Sequence, residues 1–353
     1  MINNKERFLK KLILSILIVA VLTAGVVFIF DPFFHYHKPI KPLKAVLTQA
    51  EYQVIGTLKN FDYDSLIVGS SMAENYNNRW FDETFDCTTI KAVKPGANTS
   101  DLMYLLEAAY EKKDIKNIFY TLDISALTTT IQDHFVNEGM PLYLYNDNPL
   151  DDVKYLFNKH VIFEDIPYMI ASSFIGNYDE GESFSWAQYK EFGNIYHTLK
   201  EEKDPEKDLK EYASYVDFNL EKLENLVKAH PETNFYFMIP PYSYLWWYEA
   251  YMYGDMDLNF YSLEETFNRL LSYENVEIHY FQNMEEIFSD LSLYLDLIHY
   301  HPDVNKSLVE LIPTNNHRVT FENKEIILEN MKILVDKCIY EYTPKYLLDL
   351  ENK

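Results

Sequence analysis

Three short polar stretches carry residue types that, brought together, would perform nucleophilic chemistry. The first is Gly69-Ser70-Ser71-Met72, which follows an apolar run and precedes a helical pattern. A hydroxyl there would sit at a helix N-terminus, where free N–H groups favour negative charge on an alkoxide or an oxyanion. A serine that merely caps the helix would look the same. The second stretch is Lys94-Pro95-Gly96-Ala97-Asn98-Thr99-Ser100. Gly96 can bring a backbone N–H close to a substrate oxygen, although Pro-Gly is also ordinary turn punctuation. The third is Asp296-Leu297-Ile298-His299-Tyr300-His301-Pro302-Asp303. A carboxylate three residues before His299 can accept its Nδ1 proton, hold the tautomer and leave Nε2 to take a proton from a serine. A histidine capping the last helix, or a metal site shared with His301, would use the same residues. No other His or Cys cluster supplies the remaining ligands, so no metal is expected.

These stretches need a scaffold that gathers them. Short β-branched or aromatic runs at 65–68, 88–93, 117–122, 234–239 and 276–281 alternate with helical spacing at 99–112 and 216–229. That alternation predicts an α/β domain with a parallel sheet. In such sheets ligands sit outside the carboxyl ends of the strands, where all three stretches fall. Residues 124–215 form an insertion rich in Tyr, Phe and Asp, long for an α/β connection and expected to make a lid or a partner surface. After the fourth run, Tyr242, Tyr244 and Trp246 offer aromatic faces that could stack on sugar or line an acyl pocket, as well as fill core. Residues 323–339 read as a closing amphipathic helix.

Composition narrows the partners. With 31 Lys and Arg against 55 Asp and Glu, the net charge of −24 repels phosphate backbones, so nucleic acid is not expected as a partner. Cys87 and Cys338 are too few for a disulfide framework, and a single bridge between them stays open. The histidines at 134, 160, 197, 230, 279 and 317 stand singly and are expected to be solvated or packed.

The N-terminus carries an address. Residues 12–30 are apolar apart from Ser15, Thr23 and Gly25, and as a helix would extend roughly 28 Å, near the hydrocarbon thickness of a bilayer. Lys5, Arg7, Lys10 and Lys11 precede the run and Asp31-Pro32 ends it. The expected organisation is a cytoplasmic tail at 1–11, a single-pass membrane anchor at 12–30 and an extracytoplasmic domain at 31–353. A cleaved signal peptide would be shorter in its apolar part and would show an A-x-A site.

Taken together, a small-residue turn with Ser after the first strand, Gly after the second and D-x-x-H near the C-terminus resembles the block order of the SGNH (GDSL-like) hydrolases. The similarity covers roughly residues 66–311, the insertion excepted. It implies a three-layer, flavodoxin-like sandwich on a five-stranded parallel sheet. By position it makes Ser71 the nucleophile, His299 the general base and Asp296 its orienting acid, with the N–H groups of Ser71 and Gly96 as the oxyanion hole and no cofactor. Two departures from the family pattern stand out. The usual G-D-S is Gly69-Ser70-Ser71, a variant similar to exported members that serve cell-envelope acylation, in lipoteichoic acid D-alanylation and polysaccharide O-acetylation. The family's third block supplies an oxyanion-hole Asn, whereas the third strand here leads to Asp123. An ionised Asp123 would oppose an oxyanion unless it points away, stays protonated or binds a cationic substrate, and Asn98 could replace the missing donor. The resemblance implies an esterase or O-acyltransferase acting on an acylated glycan or teichoic acid. A catalytically weak scaffold that grips a glycan or recruits a membrane acyl-export protein is the alternative.

Overall fold

The computed structural model describes residues 4–136, 139–176, 178–195 and 198–351. His197 lies outside the described residues. In chain order the elements are α1 (Asn4–Phe30), α2 (Ala50–Asn60), β1 (Ser65–Gly69), α3 (Ser71–Glu74), α4 (Asn78–Phe85), β2 (Thr89–Val93), α5 (Thr99–Tyr110), β3 (Asn117–Thr121), α6 (Ile124–Thr128), α7 (Val153–Leu156), α8 (Ile166–Phe174) and α9 (Leu209–Ala229). They continue with β4 (Asn234–Ile239), α10 (Tyr244–Met252), α11 (Met256–Leu270), β5 (Val276–Tyr280), α12 (Glu285–Phe288), α13 (Pro302–Leu311), β6 (Arg318–Val319), α14 (Lys324–Lys337) and α15 (Thr343–Glu351). The chain divides into two compact units: residues 1–61 with 137–180, and residues 62–136 with 181–353. The long insertion is therefore split, its 137–180 portion belonging to the first unit and its flanks to the second.

The first unit is built on α1, a helix of 27 residues that is long and apolar enough to cross a membrane. At about 1.5 Å per residue it extends roughly 40 Å. It stops at Asp31, whose left-handed backbone (φ 41°) breaks the ladder. The Asp31 carboxylate then accepts the N–H groups of His35, Tyr36 and His37 and the Tyr155 hydroxyl, tying the chain after the helix to the α7 region. Burial pushes this carboxyl above the usual range, against those hydrogen bonds.

The second unit holds the sheet. Its strand order is β2-β1-β3-β4-β5-β6. The first five strands are parallel, with Ser65 beside both Thr89 and Asn117, Asn117 beside Asn234, and Phe235 beside Val276. β6 runs antiparallel on β5, so the sheet is six-stranded and mixed, which corrects the five-stranded parallel sheet expected from the sequence. Two residues of edge strand, Arg318 and Val319, show no alternation of their own, and their pairing depends on α13 returning the chain to the sheet edge. The central strands β1 and β3 are buried on both faces along their whole length. That is the pattern of a sheet covered on both sides. Helices α5, α9 and α11 pack in one group and α4 packs on α13.

Phe119 lies at the centre of this core, fully buried, with ring centroids 4.6 Å from Phe81, 4.6 Å from Phe85 and 5.1 Å from Tyr236. Phe119→Ala is expected to cost about 3–5 kcal/mol, read as a lower urea midpoint.

Candidate functional site

The sharp exit from β1 is made by Gly69. A Cβ there would lie 2.8 Å from that of Ala73 and 3.0 Å from that of Thr121. Without a side chain at 69 the strand can turn directly into α3. Ser70 caps that turn, its Oγ accepting the Met72 N–H, and Ser71 begins it. The two adjacent serines thus point to different environments. Ser71 Oγ lies 2.8 Å from His299 Nε2. Ser70 Oγ donates at 2.5 Å to Asp123 Oδ2, away from the histidine.

His299 is oriented from its far side. Its Nδ1 lies 2.7 Å from Asp296 Oδ2. A carboxylate can only accept, so Nδ1 carries the proton, Nε2 is the acceptor, and the Ser71 hydroxyl donates to it. Asp296 Oδ1 accepts the N–H groups of Ile298 and His299 at 2.9 Å each. Burial raises this carboxyl, but the hydrogen bonds from the His299 ring and from the two N–H groups outweigh it and hold the group below its ordinary value. The loop itself is pinned. Both the N–H and the Oγ of Ser243 donate to the Leu297 carbonyl, at 3.0 and 2.8 Å, and the Leu295 N–H donates to the His299 carbonyl at 2.8 Å. The Trp186 ring stands edge-on to the imidazole with centroids 5.2 Å apart. Sequence reasoning did not find Trp186, because nothing in its local pattern distinguishes it from the other aromatic residues of the insertion.

The loop after β2 is a turn in which the Ala97 N–H donates to the Lys94 carbonyl at 3.0 Å. Pro95 and then Gly96, with φ +61°, occupy its central positions, the pattern of a type II turn. A Cβ on Gly96 would meet nothing within 4 Å, so backbone conformation rather than space demands glycine here. Lys94 is buried against Asp101, with Nζ 3.0 Å from Oδ2. Asn98 is engaged as the cap of α5: its Oδ1 accepts the Asp101 N–H and its Nδ2 donates to the Asp133 carbonyl at 3.1 Å.

Asp123 is buried at the end of β3. Besides Ser70 it accepts the Tyr242 hydroxyl at 3.0 Å on Oδ1. Burial pushes its carboxyl above the usual range, opposed by the Ser70 and Tyr242 hydrogen bonds and by the His299 ring whenever that is protonated. Tyr242 is itself buried, so its ring is core and its hydroxyl is committed to Asp123. Tyr244 is also buried and packs against Tyr342, with centroids 5.5 Å apart. Trp246 is half-buried and lines a separate cleft of about 220 Å³ with Ser125, Lys207 and Tyr253.

One wall beside the histidine is fixed from within. Asn75 Oδ1 accepts the Ser185 hydroxyl and the N–H groups of Trp186 and Ala187. Ser183 Oγ donates to Asn78 Oδ1 at 2.8 Å. Lys91, 1% exposed inside β2, donates its ammonium to the carbonyls of Glu74 and Ser183. Burial lowers this lysine to about 7, against the nearby charges of Glu74 and Glu182. Between that value and the ordinary lysine value of about 10.4, the unfolded chain holds a proton that the folded chain has lost, so stability rises with pH. Compared with Lys91→Met, the wild type should gain up to about 1.4 kcal/mol per pH unit across this window. Urea titrations of both proteins at pH 7, 8 and 9 measure the difference, and equal slopes would contradict it.

Among the described residues no group of three or more His, Cys, Asp or Glu is placed to hold a metal ion. Cys87 and Cys338 are free thiols, raised by burial to about 11 and about 12. Of the single histidines, His134 stacks on Tyr104 and His230 on Tyr110, while His279 is fully buried beside Glu277.

No protein-family model matches this sequence, and no curated protein matches it. Among solved structures, one described provisionally as a platelet activating factor from Streptococcus pneumonia is similar over 75% of this chain and 90% of its own. The identity is 12% and the TM-score 0.39.

Proposed function

We propose that this chain is a membrane-tethered, extracytoplasmic serine esterase or O-acyltransferase of the SGNH (GDSL-like) type, acting on acyl groups of an envelope polysaccharide or teichoic acid. The observation that carries the reading is the unbroken line from Ser71 Oγ through the His299 ring to Asp296, with contacts of 2.8 and 2.7 Å. In this reading Ser71 Oγ attacks the ester carbonyl carbon while His299 Nε2 takes its proton, and Asp296 stabilises the imidazolium. The N–H groups of Ser71 and Gly96 receive the oxyanion. Collapse breaks the bond to the sugar oxygen, which leaves with the proton from His299. Water or a second hydroxyl then attacks the acyl-serine, giving hydrolysis or transfer, and no cofactor takes part.

The membrane assignment rests on α1 and on the basic residues that lead it. Lys5, Arg7, Lys10 and Lys11 favour a cytoplasmic N-terminus, which puts the sheet unit outside. A membrane-impermeant amine reagent on intact cells should modify exposed lysines such as Lys306, whereas Lys94 is buried and should resist it. Protection of Lys306 in intact cells and reaction after lysis would reverse the orientation.

A second reading, a catalytically weak scaffold that binds glycan or a membrane acyl-export partner, is favoured by one observation: a buried carboxyl, Asp123, stands where the family pattern has an oxyanion-hole amide. Purified full-length protein in detergent decides between the two. Turnover of an aryl acetate above background supports the esterase, and its absence supports the scaffold.

A further inference from the structure

Beside the Ser71–His299 pair lies a cleft of about 330 Å³ that the reaction above does not use. Its position ties it to the pair. His301, two residues after His299, lines one side, and Ser185 and Ala187, which flank the Trp186 that abuts the imidazole, line the other. Its wall is rigid, because Asn75, Asn78 and buried Lys91 hold the 183–187 segment through five hydrogen bonds, three of them to its backbone. A segment fixed this firmly presents its side chains in set directions, which is what recognition requires.

The lining specifies the ligand. Trp80 and Phe192 supply two half-buried aromatic surfaces, and Asn77, Gln188, Glu182 and Lys190 surround them with donors and acceptors of both signs. A lipid chain would require a dry apolar lining, and polar groups left facing it would be unpaired. A phosphate would require converging cations, yet Glu182 stands in the same cleft as Lys190. A sugar ring meets both demands: its C–H face packs on an aromatic surface, while each hydroxyl both donates and accepts. We infer that this cleft is a sugar subsite that holds a glycan residue next to Ser71. That this residue neighbours the ester being cleaved rests on the esterase reading; that the cleft binds sugar does not.

Full-length Ser71→Ala protein in detergent, applied to an array of bacterial surface oligosaccharides and titrated by calorimetry with the strongest binder, tests the inference. Kd should rise at least tenfold in both the Trp80→Ala and the Gln188→Ala background and stay within twofold for Phe321→Ala, a change at an exposed side chain remote in sequence from the cleft. Thermal melting reports whether Trp80→Ala folds, and Gln188→Ala, at an exposed position, keeps the test open if it does not. Absence of binding to any oligosaccharide, or an unchanged Kd in Gln188→Ala, overturns the subsite. Aryl acetate turnover by the wild type is scored separately: turnover without sugar binding removes the subsite alone, and sugar binding without turnover removes the esterase alone.

Discussion

Ser71→Ala should lower aryl acetate turnover by roughly 10³-fold or more while leaving the fold intact, because loss of one member of a serine–histidine–acid relay removes the covalent route. The neighbouring residue provides the control. Ser70→Ala removes a buried hydroxyl that caps Met72 and donates to Asp123, so it should cost about 1–2 kcal/mol of stability and reduce turnover far less. The contrast is sharp because the two hydroxyls are adjacent in sequence and equal in chemistry, and differ only in the groups they face. Steady-state rates and urea midpoints of the two variants, measured side by side, check both halves. Equal rate losses would mean that the turn, rather than the Ser71 hydroxyl, matters.

Asp296→Asn should be severely damaging as well, with kcat reduced roughly 10⁴-fold. The substitution keeps the shape but replaces an acceptor with an amide that can donate. Nδ1 then loses its partner for the proton, the ring prefers the other tautomer, and an N–H group faces Ser71 where an acceptor is needed. The wild-type carboxyl lies below its ordinary value, so it remains ionised through mildly acidic pH and its own protonation does not set the acid limit of activity there. Rates across pH 5–9 for both proteins measure this. A variant with wild-type kcat would show that the carboxylate does not orient the ring.

Much of this arrangement can be read along the chain, for identifiable reasons. Strands β1 to β5 are largely buried, so each appears as a mostly apolar run, broken by Lys91 in β2 and by Glu277 and His279 in β5, and the expected bounds differ from the observed ones by a residue at most at either end. Asp296 and His299 meet through a turn that three residues of spacing allow, and Gly69 and Gly96 mark places where a side chain or an ordinary φ does not fit. What stays hidden depends on contacts distant in sequence. Trp186 reaches His299 only because Asn75 and Lys91, more than ninety residues earlier, hold its segment. Lys91 itself reads as an interruption of an apolar strand, and its buried partners are two carbonyls that no motif announces. The aromatic run after β4 illustrates the same limit: Tyr242 turns inward to Asp123, Tyr244 packs toward Tyr342 and Trp246 faces another cleft, although the three are alternate residues of one polar-aromatic stretch. The division of the insertion between two units follows from where its ends pack, which local composition does not record.

Whether Ser71 and His299 form a reacting couple is measured by treating the full-length protein with a fluorophosphonate, digesting it and locating the adduct by mass spectrometry. One stoichiometric adduct is expected, on Ser71, lost in His299→Ala and retained in Ser70→Ala. An unlabelled protein, or an adduct on Ser70 or elsewhere, would contradict such a couple.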